Sequence, residues 1–243
     1  LVYDEETVNS LQVPSLSAGR MPEYLKANRL AVENIKDKAV LSGCIGPFSL
    51  AGRLYDMSEI MVGIYIEPDV IKTLLDKCTE YINIYCKELQ AIGATEVIMA
   101  EPAAGLLSNE DCLEYSTIYV KRIVEAVQDD NFTVVLHNCG NKGHCTQAMI
   151  DSGAAALHFG NAVNMVETLE QCPSNLIVMG NIDPVGILKQ ATPKEVYRIT
   201  ADLLAKTAQY KNFVISSGCD MPPFVPDVNI NAFYRAIADF NAV

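Results

Sequence analysis

Positive charge is scarce in this chain: 18 lysines and arginines stand against 30 aspartates and glutamates, a formal net charge of −12. Nucleic acid and anionic membranes attract positive protein surface, so this balance argues against both as partners. No apolar run is long enough to span a bilayer, and no signal-peptide pattern is present, so a soluble protein is expected. The chain also lacks the small size of a secreted disulfide scaffold. Its eight cysteines are spread over 243 residues. Most of them, Cys78 and Cys86 included, fall inside apolar helical or strand patterns, where a thiol acts as a small hydrophobe. A reducing cytoplasm is the expected setting.

Half of the residues are of hydrophobic type, ample for one large α/β domain. Leu1 to Arg20 is polar and without period, and is expected to wrap the outside. Apolar runs predict strands at Ala39–Cys44, Glu96–Ala100, Thr133–His137, Ala155–Phe159, Leu176–Met179 and from Phe213 to Cys219. Helical patterns lie between them. One runs from Pro22 to about Ile35. A long one follows Pro68 with Ile71, Leu75, Cys78, Ile82, Tyr85, Leu89 and Ile92 at steps of three and four, and ends at Gly93. Another runs from Ser108 to Val127, and a short one reaches Ser152-Gly153. Thr192-Pro193-Lys194-Glu195 combines an N-cap, a proline at the first helical position and a glutamate at the third. A last helix, Asp227 to Phe240, is expected to turn Ile230, Phe233, Ile237 and Phe240 inward.

Uninterrupted alternation of strand and helix means a parallel sheet. Nearly every strand ends in a glycine, proline or polar cluster, as where functional loops crowd one rim of a (β/α)8 TIM barrel. Residues 1–243 then form a single barrel domain. With six strands visible, two further βα units are expected ahead of Leu1.

The chemistry concentrates at two of these strand ends. His137 and Cys139 are two apart on extended chain and point the same way. Phe213-Val214-Ile215-Ser216-Ser217-Gly218-Cys219 is built alike. Should both ends share one sheet edge, His137, Cys139 and Cys219 could offer one nitrogen and two sulfurs to Zn2+, with the fourth position open. The competing readings are packed strand ends, or a closed structural site that adds His144 and Cys145. Lys142-Gly143 and the helix that follows direct those two elsewhere. His158 reads as a hydrogen-bonded core or rim residue. Glu101 and Asp183 end strands at the presumed active rim and could orient a ligand histidine, bind substrate, or cap helices. Arg53 could bind an anionic tail or be a solvated surface residue, and Tyr55 and Asn181 are pocket candidates.

Several stretches occur together and in order: Gly46-Pro47-Phe48-Ser49-Leu50-Ala51, Glu101-Pro102-Ala103, His137-Asn138-Cys139-Gly140-Asn141, Gly180-Asn181-Ile182-Asp183-Pro184 and Gly218-Cys219-Asp220-Met221-Pro222-Pro223, with Asn229-Ile230 beyond. The combination resembles the uroporphyrinogen decarboxylase superfamily, and within it the methylcobalamin:coenzyme M methyltransferase branch. The resemblance implies a TIM barrel whose first two strands precede Leu1, and His137, Cys139 and Cys219 as the branch's zinc ligands. It further implies a methylated corrinoid protein as donor and a small thiol such as coenzyme M as acceptor.

Two thiolates and a neutral imidazole bring Zn2+ close to formal neutrality. A third thiol in the open position could then lose its proton near neutral pH and attack the methyl carbon, with Co(I) as leaving group. The alternative is a uroporphyrinogen decarboxylase-type lyase. Those enzymes carry a histidine in a Gly-His-Gly turn at the place of Cys219 and a tyrosine near Arg53, and both departures count against decarboxylation.

Overall fold

Apolar runs bounded by glycine, proline or polar residues become six strands in the computed structural model, which describes residues 1–242. They are β1 (Leu41–Ile45), β2 (Glu96–Ala100), β3 (Thr133–Asn138), β4 (Ala156–Phe159), β5 (Ile177–Ile182) and β6 (Phe213–Ser217). All pair in parallel and in chain order, β1-β2-β3-β4-β5-β6. This is the strand succession of a TIM barrel, of whose eight strands the sheet contains six. Strand register makes lateral neighbours of residues remote in sequence: His137 on β3 lies beside Ala100 on β2 and His158 on β4, and Asn181 on β5 lies beside Ser216 on β6.

The helices are α1 (Glu5–Ser10), α2 (Met21–Asn34), α3 (Pro47–Tyr55), α4 (Met57–Ile66), α5 (Pro68–Ile92), α6 (Asn109–Cys112), α7 (Ile118–Val127), α8 (Thr146–Asp151), α9 (Met165–Gln171), α10 (Pro193–Thr207) and α11 (Asp227–Asn241). The long amphipathic α5 lays Ile71, Leu75, Cys78, Ile82 and Leu89 into the core, and Gly93 closes it in the left-handed conformation. Between sheet and helices, Leu89, Met99, Ile123, Phe132, Leu157 and Phe159 are fully enclosed. Among the described residues no helix is long and apolar enough to cross a membrane.

Four local expectations are corrected. The amino-terminal stretch is not wholly irregular, because Asp4 and Thr7 form a reciprocal capping box around α1. Six residues are too few to show a helical period, and threonine replaces the usual glutamate. β5 does not stop at Met179. Its Gly180 and Asn181 are poor strand formers, yet the ladder to β6 carries them to Ile182. The helix expected over 108–127 is split by a π turn at Leu113–Thr117. Finally, α11 buries Asn229, Ala232 and Ala236, leaving Ile230, Phe233 and Ile237 half-buried and Phe240 exposed. It packs on α10, with Ala232 enclosed in the cluster that includes Val196 and with Phe233 partly buried against it.

The capping box of α10 forms as expected, with Thr192 accepting from the Glu195 N–H and Glu195 accepting from the Thr192 N–H. Thr192→Ala is expected to lower the unfolding free energy by about 1 kcal/mol. Urea denaturation of both chains measures the difference.

Candidate metal centre

β3 and β6 are separated by two strands. Three interstrand steps would set their ends roughly 14 Å apart in a flat sheet. Nevertheless one ligand atom from each of His137, Cys139 and Cys219 lies within 4.8 Å of the other two. Curvature of the sheet does part of this, turning the carboxyl ends of the strands toward a common axis. Two glycines do the rest. A Cβ at Gly160 would sit 2.8 Å from the Cys139 Cα, and one at Gly218 would sit 2.7 Å from the Asn161 nitrogen. Backbone therefore packs on backbone from Cys139 through Gly160-Asn161 to Gly218. Tetrahedral zinc spaces its N and S ligands about 3.5 to 3.8 Å apart, so the three side chains need to draw in by about 1 Å or less.

His137 is 6% exposed, and its surroundings specify which nitrogen is available. Nδ1 lies 3.2 Å from the His158 carbonyl oxygen and 2.6 Å from the His158 Nδ1. The two rings, neighbours in register, have centroids 4.6 Å apart. His158 Nε2 in turn lies 2.9 Å from Ser216 Oγ. His137 Nε2 is buried and has no partner. Leaving such a group unsatisfied costs about 1–3 kcal/mol, which a metal ion in that place would recover.

Burial holds the His137 imidazole below its usual pKa, and burial together with the neighbouring His137 lowers His158 to about 4. Both rings are neutral at neutral pH, the form in which histidine ligates metal. Burial and the adjacent Cys219 sulfur push the Cys139 thiol up to about 11. The Asp220 carboxylate acts on His137, His158 and Cys139 alike and favours positive charge at this spot.

The side chains of the remaining candidates add no ligand atom to the cluster. Glu101 is buried and caps α3, accepting from the N–H groups of Phe48 (3.0 Å) and Ser49 (2.5 Å). Asp183 caps the helical turn Pro184–Lys189 through the N–H groups of Val185 and Gly186. Asn181 is a brace: its Nδ2 donates to the carbonyls of Gly160 and Val163, tying β5 to the loop that supports Cys139. Arg53 is exposed, and the buried Tyr55 donates its hydroxyl to Glu67. Both line a cavity of about 410 Å³ to which no cluster residue contributes. His144 and Cys145 turn away, each contacting the Leu107 carbonyl. Asp220 and Ser216 carry no role in the sequence reading, although both stand within three residues of Cys219, where the motif is densest.

A family model described as uroporphyrinogen decarboxylase (URO-D) matches residues 1–240. The chain belongs to the uroporphyrinogen decarboxylase family. Within this family it is similar to the methylcobamide:CoM methyltransferase MtbA of Methanosarcina mazei, at 28% identity over 242 residues, covering 98% of this chain and 70% of the relative. It is also similar to the uroporphyrinogen decarboxylase of Prochlorococcus marinus, at 28% identity over 218 residues, covering 86% of this chain and 61% of the relative. A solved methyltransferase from Methanosarcina mazei superposes with a TM-score of 0.87 at 23% identity, covering 96% of this chain and 69% of that one, and so shares the fold. URO-D family members thus include both methyltransferases and decarboxylases, and the choice between them falls to the site.

Two predictions arise from this geometry. Gly160→Ala should force Cys139 away from Cys219 and lower zinc affinity with little change in helix content, as zinc titration alongside circular dichroism would show. Burial raises Glu101 from 4.5 to about 7 against the opposing cap bonds from Ser49 and Phe48. The folded state therefore favours the protonated acid. Its stabilisation is complete below pH 4.5 and falls by roughly 3 kcal/mol as pH rises through 7. Unfolding free energies across that window should decline less in Glu101→Gln than in the wild-type chain.

Proposed function

We propose that this chain is a zinc-dependent methyltransferase that moves a methyl group from a methylated corrinoid protein to a small thiol such as coenzyme M. The observation that carries the reading is the convergence of an imidazole nitrogen of His137 with the sulfurs of Cys139, two residues on, and of Cys219 beyond a remote strand, beside a buried His137 Nε2 that has no hydrogen-bond partner. The similarity to a protein named methylcobamide:CoM methyltransferase supports the same choice. The uroporphyrinogen decarboxylase relatives supply the competing reading, a metal-independent lyase acting on a tetrapyrrole.

In this proposal His137, Cys139 and Cys219 hold the zinc. Bound there, zinc supplies a Lewis acid that favours the deprotonated form of a substrate thiol near neutral pH. The chain's own part is positional and electrostatic. Cys139 and Cys219 are half-buried, so the cluster keeps a side open to substrate. Their two negative charges, once ionised, offset the dication and preserve the nucleophilicity of a third thiol. Glu101, Asp183 and Asn181 keep the rim in shape through caps and a brace, and Arg53, with Tyr55 beside it, would offer its charge to an anionic group in the separate cavity that both line. In the overall transfer a carbon–sulfur bond forms, the carbon–cobalt bond breaks with its electron pair staying on cobalt as Co(I), and the thiol proton is released. Residues 1–243 are read as one barrel domain that lacks its first two strands, with the reaction centred on the rim those residues form. A cytoplasmic setting completes the proposal, in keeping with eight unpaired cysteines.

Metal analysis of the purified chain should find about one zinc per chain, and Cys219→Ser should lose it. Methylcobalamin, followed by its absorbance, should be demethylated by the wild-type chain when a small thiol is supplied and not by Cys219→Ser. A zinc-free chain that decarboxylates a tetrapyrrole would overturn the proposal.

A further inference from the structure

The hydrogen bonds around the two buried histidines have a direction, and two backbone carbonyls set it. Ser216 Oγ donates to the Ser217 carbonyl at 3.0 Å, so its single hydrogen is committed. In that arrangement the hydroxyl accepts from His158 Nε2, at 2.9 Å. His158 therefore carries its proton on Nε2 and presents a lone pair at Nδ1. That lone pair lies 2.6 Å from His137 Nδ1 and needs a donor there. The His158 carbonyl, 3.2 Å from the same His137 nitrogen, is likewise an acceptor only. Both demands are met when His137 is protonated on Nδ1, which leaves its buried Nε2 as the unprotonated nitrogen. Reversing the direction of these bonds would strand the Ser216 hydroxyl proton away from its carbonyl and set the His137 lone pair against the His158 oxygen.

We infer that His158, backed by Ser216, is a positioning residue: it holds His137 in the single tautomer that keeps Nδ1 occupied and leaves an unprotonated Nε2 as the nitrogen free to ligate a metal. The purpose of the relay rests on the proposed zinc site, though its existence does not. Ligand histidines in metal sites commonly donate their second N–H to a fixed acceptor, which orients the ring and raises its basicity. Here the acceptor is another imidazole, delivered by strand register alone, since His137 and His158 are lateral neighbours on β3 and β4.

The test uses the full chain labelled with ¹⁵N-histidine. With three histidines in the sequence, assignment needs only His144→Gln and His158→Gln as references. Two-bond ¹H–¹⁵N correlations of the metal-free chain at pH 8 should show His137 protonated on Nδ1 and His158 on Nε2. Zinc addition should shift the His137 Nε2 resonance and leave its Nδ1–H in place. His158→Phe should weaken zinc affinity by about 10–100-fold. His158→Gln, whose amide can accept from His137 and donate to Ser216, should restore most of it. An Nε2–H tautomer at His137, or unchanged zinc affinity in a folded His158→Phe chain, overturns the inference. A wild-type chain with the stated tautomers that takes up no zinc overturns the zinc reading, while the relay itself stands.

Discussion

Bringing two sulfurs and an imidazole to one point across three strand steps is the constraint on which this structure depends. A cysteine side chain is short, so the burden falls on the backbone. The sheet must curve, the loop after β4 must be thin enough for Cys139 and Gly218 to lie on either side of it, and that loop must be held. Gly160 provides the thinness, and Asn181 provides the hold through two carbonyls. Asn181, a pocket candidate by sequence, is thus occupied in keeping the rim in position.

Electrostatics at the site follow from the same crowding. Burial keeps His137 and His158 neutral, so an uncharged donor nitrogen is available without any cationic neighbour. Asp220 adds negative charge beside the sulfurs, which disfavours free thiolates and favours a bound cation. The methyltransferase and decarboxylase relatives match this chain at equal identity, so overall sequence similarity does not discriminate between their reactions. Discrimination rests on the donor set, and two sulfurs with one nitrogen suit zinc far better than they suit a carboxylated tetrapyrrole.

Strong local patterns were readable from residues alone. The three- and four-residue period of α5 and the cap of α10 stand where expected, since both are settled within one turn or along one helix face. What escaped was either too short or imposed from outside. α1 has no room for a period. β5 runs on through Gly180 and Asn181 because β6 pairs with it. The fully buried face of α11 is set by its contact with α10, which encloses Ala232 and Ala236 while Phe233 packs only partly buried against the same cluster, a matter of interhelical packing that no single helix encodes.

The site divides along the same line. Sequence by itself determined the alternation of strand and helix and the glycine-marked strand ends, because each depends on neighbours within a few positions; β3 and β6 stop at Asn138 and Ser217, so Cys139 and Cys219 reach the cluster from the turns beyond them rather than by strand alternation. Only tertiary structure decided that Cys219 meets His137 and Cys139. It also set Glu101 and Asp183 as caps and placed His158 between His137 and Ser216. The physical reason is that distances between remote segments are fixed by sheet curvature and strand register, which arise from the packing of the whole domain.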